Sequence, residues 1–221
     1  MRDELRADLL EVGRLLVSMA EAVRTAMGHA TEALLTADRA TCEMVIARDA
    51  EVDDLHRQVD QQVYDTLARQ APVATDLRLV ITGIAIAADL ERMGDLAEHV
   101  AKTALRRYPA PAVPPELREV ITSMGAVADR MAGKVGLVLT TQDATLGAEL
   151  ETDDDEMDEL QRRLFSILLH KDWRYGAEAA IDGALLGRFY ERYADHAVNA
   201  GQQVVFLVTG ETSEPPSVDQ P

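Results

Sequence analysis

The sequence predicts an all-α protein built as a tandem duplication of two three-helix bundles, with six long helices in total. Three observations predict it. Aromatic residues are only 4% of the 221 residues, with 13 Gly and 8 Pro, while Ala, Leu, Val, Arg, Glu and Asp dominate. Such a chain is rich in helix formers and poor in the β-branched and aromatic runs that strands use. Apolar residues also recur at helical spacing through every long segment. Finally, the pattern repeats. Glu91-Arg92-Met93-Gly94-Asp95 returns 100 residues later as Glu191-Arg192-Tyr193-Ala194-Asp195, and Asp49 to Asp53 followed by Asp54-Leu55 is echoed at an offset of 105 by Asp154 to Asp158 followed by Glu159-Leu160. The two offsets differ by the length of one turn, so the repeat unit is three helices with a variable loop.

In the first helix Leu5, Leu9, Val12, Leu16, Met19, Val23, Ala26, Ala30 and Ala33 alternate by four and three residues. That is the stripe of a long bundle helix, about 45 Å long at ~1.5 Å per residue. A second helix is predicted from Asp38 to Arg69, with Val52, Leu55, Val59, Val63 and Leu67 inward, ended by Ala71-Pro72 because proline lacks a donor and disfavours helix before it. A third runs from Thr75 to Tyr108, with Thr75 or Asp76 as its cap and Leu79, Ile86, Leu90, Met93, Ala97, Val100 and Ala104 as its stripe. The stretch PAPAVPP, residues 109–115, then forces an extended link at the midpoint.

After the link the pattern restarts. Leu117, Val120, Met124, Val127, Met131, Val135 and Val138 mark a fourth helix. Met157, Leu160, Leu164 and Ile167 or Leu168 mark a fifth, from Asp143 to His170. Leu186, Phe189, Tyr193, Ala197, Ala200, Val204 and Leu207 mark a sixth, from Tyr175 to Thr209. Trp173 and Tyr175 mark the turn between the last two, as an anchor of the bundle end or as an aromatic patch for a partner. The predicted division is residues 1–108 and 116–210 as the two bundles, 109–115 as linker, and 211–221 as a polar, Pro-rich, disordered tail.

Charge narrows the function. Lys and Arg number 22 against 39 Asp and Glu, a net charge of −17 and a pI near 4.6. Nucleic-acid binding needs clustered cations and is disfavoured, as is an electrostatic grip on anionic lipid. Cations and basic protein surfaces are favoured partners. Apolar residues are 47% of the chain, enough for a core. The lone Cys42 excludes an internal disulfide and a Cys-rich zinc site and is expected to pack in the interior. The N-terminal stretch has early acids and no apolar core, unlike a signal peptide. The longest apolar run, Leu77 to Leu90, is too short to span a bilayer. A cytoplasmic location is the expectation.

The duplicated motifs leave four acidic pairs at i, i+4: Asp49/Asp53, Glu91/Asp95, Asp154/Asp158 and Glu191/Asp195. Like charges so spaced repel by about 0.2–0.5 kcal/mol per pair. The same spacing suits a hard cation, because both carboxylates project from one face a turn apart. An antiparallel second and third helix would present four carboxylates in each half. Glu91 and Asp95 lie opposite Met93 on the helical wheel, which puts the pair on the outer, accessible side of the bundle. Oxygen donors suit magnesium, manganese, calcium or oxidised iron. In an acidic protein the bland meaning of such pairs is a solvated face. Glu98-His99 and His196 lie close enough for supporting roles, and Arg92 and Arg192 for salt bridges or for orienting the acids.

The segments LERMGDLAEHVA (residues 90–101) and YERYADHAVNAG (residues 190–201), set in two repeats of three long helices, resemble the signature of the PhoU family. The resemblance covers about residues 3–209. It implies a cytoplasmic, homodimeric accessory protein of phosphate-specific transport that acts as a negative regulator of uptake and of the phosphate-starvation response. It implies two protein partners, the phosphate transporter's ATPase subunit and a membrane-bound sensor histidine kinase, and no direct membrane insertion. It further implies metal clusters, of iron or zinc in some members and manganese or magnesium in others, held by Asp49, Asp53, Glu91, Asp95, Asp154, Asp158, Glu191 and Asp195. The second motif departs from the first at Ala194, where the first has Gly94, so a small residue persists.

The rival from a different class is a ferritin-like, carboxylate-bridged di-iron enzyme or metal-storage bundle. That chemistry wants Glu-x-x-His on two helices, and no Glu stands three residues before any of the five His. A ligand-free coiled coil is disfavoured by the central prolines and the duplicated halves. Gly133-Lys134 lacks the spacing of a phosphate-binding loop, and no nucleophile elbow or dinucleotide turn occurs. A non-enzymatic regulator is the expectation.

Overall fold

The computed structural model describes residues 2–210; the segment 211–221, read above as a disordered tail, lies outside the described residues. Six helices form: α1 (Arg2–Thr36), α2 (Arg39–Arg69), α3 (Thr75–Arg107), α4 (Pro115–Thr141), α5 (Ala144–Leu168) and α6 (Gly176–Thr209). The described residues contain no strand. The expected all-α class and the helix order are observed.

The first turn of each half is built the same way. Ala37 and Gln142 take left-handed backbone angles, with φ of 56° and 54°. The next residue, Asp38 or Asp143, caps the following helix by accepting from the second and third N–H groups beyond it. These acids occupy two N–H groups that a helix start leaves unpaired. Pro115 opens α4, where a missing N–H costs nothing. The start of α3 differs from expectation. Ala74, at φ 49°, holds the cap position with no side-chain bond, and Thr75 is already helical, its hydroxyl accepting weakly from Arg78 at 3.4 Å.

Four helices form a square. α1 packs on α3, α3 on α6, α6 on α4 and α4 on α1, while α2 lies outside against α1 and α3, and α5 outside against α4 and α6. The apolar side chains of both halves therefore merge into one continuous core. Two tyrosines cross its diagonal: Tyr190 shares a 2.7 Å hydrogen bond with the Thr31 hydroxyl, and Tyr193 donates to the Val23 carbonyl at 3.1 Å. Burial pushes both phenols well above their ordinary pKa. At one end of the square Asp182, almost fully buried, is bound by Arg106 and Arg107 across the halves. At the same end Ala112 and Val113 of the link are buried in the core.

Most predicted stripe residues are inward, and Cys42 is buried with them. Leu67 is the exception, at 42% exposure. Thr66 takes the inward place and satisfies its hydroxyl on the Gln62 carbonyl at 2.7 Å. Leu5, Leu9, Leu55, Leu79, Leu160 and Phe189 are half-buried, as expected near helix ends and on helices packed along one face. Trp173 does anchor its turn, donating to the Gly176 carbonyl at 2.9 Å and meeting Tyr175 edge-on.

Close approach rests on glycine at one crossing. A Cβ on Gly201 would lie 3.0 Å from the Gly147 carbonyl oxygen, and one on Gly147 would lie 3.0 Å from the Gly201 carbonyl. Backbone opposes backbone there, so α5 and α6 would have to part. Gly201→Ala is expected to lower stability by about 1–3 kcal/mol. Gly28→Ala, exposed and with nothing within 4 Å of its Cβ, is expected to raise it by about 0.5–1 kcal/mol. Urea unfolding of both variants checks the pair, and a neutral Gly201→Ala would contradict the crossing.

Candidate functional site

The carboxylates arise where an outer helix lies across the edge of an inner one. In the first half α2 brings Asp49 against α3 at Gly94, where an added Cβ would stand 3.3 Å from Asp49 Oδ1 and 3.2 Å from Val52 Cγ1. Gly94 is thus the small residue that lets the Asp49 carboxylate reach α3. In the second half the corresponding position is Ala194, fully buried.

Six of the eight acids are half-buried, less exposed than the helical wheel suggests, while Asp53 and Asp158 are exposed. Glu91 and Asp95 side chains keep 21% and 32% of their exposure, and Glu191 keeps 14%. The main apolar stripe is not the whole of the packed surface. The outer helix covers the flank beside that stripe and desolvates the acids there.

Electrostatics follow from that burial. Desolvation, then the charges of Glu98, Asp53 and Asp95, push Asp49 up to about 6 from an ordinary 3.8. In the second half desolvation, then Asp195, Asp158 and Glu191, push Asp154 up to about 6. Burial also raises Glu191. The structure therefore gathers Asp154, Asp158, Glu191 and Asp195 into one field. In the first half it gathers Asp49, Asp53 and Asp95 with Glu98, whose place one turn beyond Asp95 was the sequence signal for it. Glu91 is turned toward Arg92 instead, at 3.4 Å.

Cations temper both clusters unequally. Arg92 binds Asp95 at 2.9 Å and Lys102 binds Glu98. In the second half Arg188, not the repeated Arg192, binds Glu191. Asp153, beside the cluster, lies 2.7 Å from Lys134, whereas the buried Asp154 Oδ1 has no hydrogen-bond partner. The two histidines face the seam between halves. His99 donates from Nδ1 to the Asp95 carbonyl at 2.6 Å and packs on Phe189, and His196 pairs with Asp89 at 2.9 Å.

The donors are hard oxygens, and their mutual repulsion is what a cation would relieve. Among the described residues no three His, Cys, Asp or Glu side chains already stand close enough to hold one ion. A cation would have to draw the carboxylates inward and away from Arg92 and Arg188. Within the core, by contrast, the buried polar side chains among the described residues are four threonines and Asp182, so a di-iron centre between the inner helices finds no ligands there.

A duplicated six-helix bundle with an inner square and acid-edged outer helices defines the fold class. The family model for the PhoU domain matches residues 16–104 and again 121–204. A phosphate-specific transport system accessory protein, PhoU homolog 2 of Mycobacterium tuberculosis (strain ATCC 25618 / H37Rv), is 40% identical over 210 residues, covering 95% of this chain and 99% of its own. PhoU homolog 1 of Mycobacterium leprae is 40% identical over 218 residues, covering 99% and 98%. The crystal structure of PhoU from Pseudomonas aeruginosa superposes with a TM-score of 0.85 at 27% identity, covering 93% of this chain and 99% of that one. The PhoU structure from Streptococcus pneumoniae, also at 0.85 but 23% identical, matches in fold. The chain belongs to the PhoU family.

The raised acids make a pH prediction for metal-free protein. With Asp154 near 6 when folded and near 3.8 when not, the native state binds the extra proton between those values. The contribution of Asp154 to stability therefore falls as pH rises from about 4 to 6 and stays low above. Asp154→Asn removes the charge, so it is expected to raise the melting temperature at pH 7.5 in EDTA and to bring no gain at pH 4. An equal effect at both values would contradict the charge crowding.

Proposed function

We propose that the protein is a non-catalytic accessory factor of phosphate-specific transport, a negative regulator of phosphate uptake and of the phosphate-starvation response. It acts by contact with the transporter's ATPase subunit and with a membrane-bound sensor histidine kinase, as a homodimer in the cytoplasm. The observation that carries this reading is the 40% identity, over nearly the full length of both chains, to proteins named as accessory to phosphate-specific transport. Two features agree with it. No helix among the described residues is long and apolar enough to cross a membrane, so reaching membrane-bound machinery requires docking onto other proteins. The net charge of −17 favours basic protein surfaces and disfavours nucleic acid.

Disrupting the gene in the organism that encodes this chain is expected to raise expression of phosphate-starvation genes in high phosphate. Expression that stays at the repressed level would reject the regulatory role. Affinity capture from phosphate-rich cells should recover the ATPase subunit and the kinase.

The same reading assigns metal ions to the acidic clusters: iron, zinc, manganese or magnesium. Asp49, Asp53, Glu91 and Asp95 would hold them in one half, and Asp154, Asp158, Glu191 and Asp195 in the other. What supports this is the unpartnered Asp154 oxygen and the crowding that lifts Asp49 and Asp154. A cation would cancel the repulsion and tie each outer helix to its inner neighbour. Elemental analysis of protein purified without added metal is expected to show less metal in the Asp95→Ala, Asp195→Ala double variant than in the parent. Equal content in the two would remove the assignment.

A further inference from the structure

The duplication lays α1 and α2 onto α4 and α5 at an offset of 105. The paired caps Asp38 and Asp143 mark it. So do the paired contacts of the inner helices: a Cβ on Gly83 would meet Val12, and one on Gly183 would meet Leu117, the residue 105 places after Val12. What one half holds at a position can therefore be set against what the other holds there.

Between α1 and α2, over α3 at Gly94, lies an open cavity of about 350 Å³. At the matching place in the second half stand two cations. Arg130 of α4 is paired with Glu156 of α5. Lys134 lies 2.7 Å from Asp153 and 3.2 Å from Glu149, with its side chain only 18% exposed. The first half has Thr25 and His29 at those two positions. It also carries the smaller residue at five apolar positions of the cavity wall: Ala22 for Val127, Ala26 for Met131, Val45 for Leu150, Val52 for Met157 and Gly94 for Ala194. The cavity is the space those replacements leave.

Its acids stay behind. Apart from His29, the ionisable side chains lining it are Glu21, Arg48, Asp49 and Glu51. Arg48 is bound to Glu51 at 3.1 Å, whereas neither Glu21 nor Asp49 has an ion pair among the described residues. No three His, Cys, Asp or Glu among the described residues are placed to hold a bare ion. Small apolar side chains beside two carboxylates suit a cation carried on an apolar stem. A guanidinium fits best, because its planar fork offers donors to more than one carboxylate at once.

We propose that this cavity receives an arginine side chain from a partner protein, laying its stem on Ala22, Ala26 and Val45 and its guanidinium against Glu21 and Asp49. The second half fills the same place with its own Arg130 and Lys134, so docking by this route is confined to the first half. The proposal rests on the reading of the protein as one that acts by contact, and it gives one such contact its chemistry.

Nuclear magnetic resonance on the full chain in EDTA, titrated with the capped peptide acetyl-Gly-Arg-Gly-amide, tests this. Saturable shifts are expected at the Met44 methyl and the Gly94 amide. The same peptide with citrulline for arginine, neutral and of equal shape, should give none. Thr25→Arg, Ala26→Met imports the second half's residues and should abolish the shifts. Glu21→Gln, at an exposed position, should weaken binding roughly threefold and leaves a readout if the double variant does not fold. Absence of saturable shifts would overturn the proposal. So would equal shifts with the citrulline peptide, equal shifts in both variants, or binding of agmatine without binding of the peptide, which would mark a site for a free amine. The titration reads neither starvation-gene expression nor metal content, so its failure is distinct from failure of the regulatory reading.

Discussion

The structure depends on the square of inner helices. Each of α1, α3, α4 and α6 must bury side chains against two square neighbours and one outer helix, and one apolar stripe is too narrow for three contacts. The extra faces are lined with small residues: Gly83, Ala87, Gly94 and Ala101 on α3, and Gly183, Gly187, Ala194 and Gly201 on α6. Small side chains bring the backbones close, and the large ones then interdigitate at the density of a protein interior. α2 and α5 bury a face against one edge of the square only, so most of their surface stays polar. The acids of α2 and α5 that border the packed face are the ones the bundle half-buries.

That division explains what the sequence could and could not reveal. Helix number, order and boundaries were legible because each helix carries a strong apolar period and the turns carry Asp caps and prolines. The shared small faces were not, since Ala87 or Ala101 reads as neutral in any periodicity count. The arrangement of the two halves was equally hidden. It depends on which second face of α3 meets α6, and on tyrosines whose hydroxyls reach Thr31 and Val23 across the core. Of the site, the eight acids and their pairing along each helix could be read directly. The half-burial of six of them could not, because the wheel places a residue against its own helix and says nothing of the helix laid over it. Nor could it tell that Arg188 and not Arg192 would face Glu191.

Duplication supplied two copies of one scaffold, and the copies have diverged where the chemistry is. Position 98 holds Glu in the first half, with Lys102 bound to it, whereas the matching position 198 is valine. The first cluster thus has an added acid and an added cation close by. The second has the Asp153–Lys134 pair beside it instead and keeps a buried oxygen of Asp154 with no partner. The core beneath differs in the same direction. Leu90 and Met93 are replaced by Tyr190 and Tyr193, whose rings fill the space between the halves and whose hydroxyls tie α6 to α1. A cation held between α5 and α6 would therefore act on the inner helix that is most firmly fixed to the rest of the molecule. One between α2 and α3 would compete with Arg92 and Lys102. The two acidic clusters thus differ in their surroundings through those substitutions, without any difference in the fold that carries them.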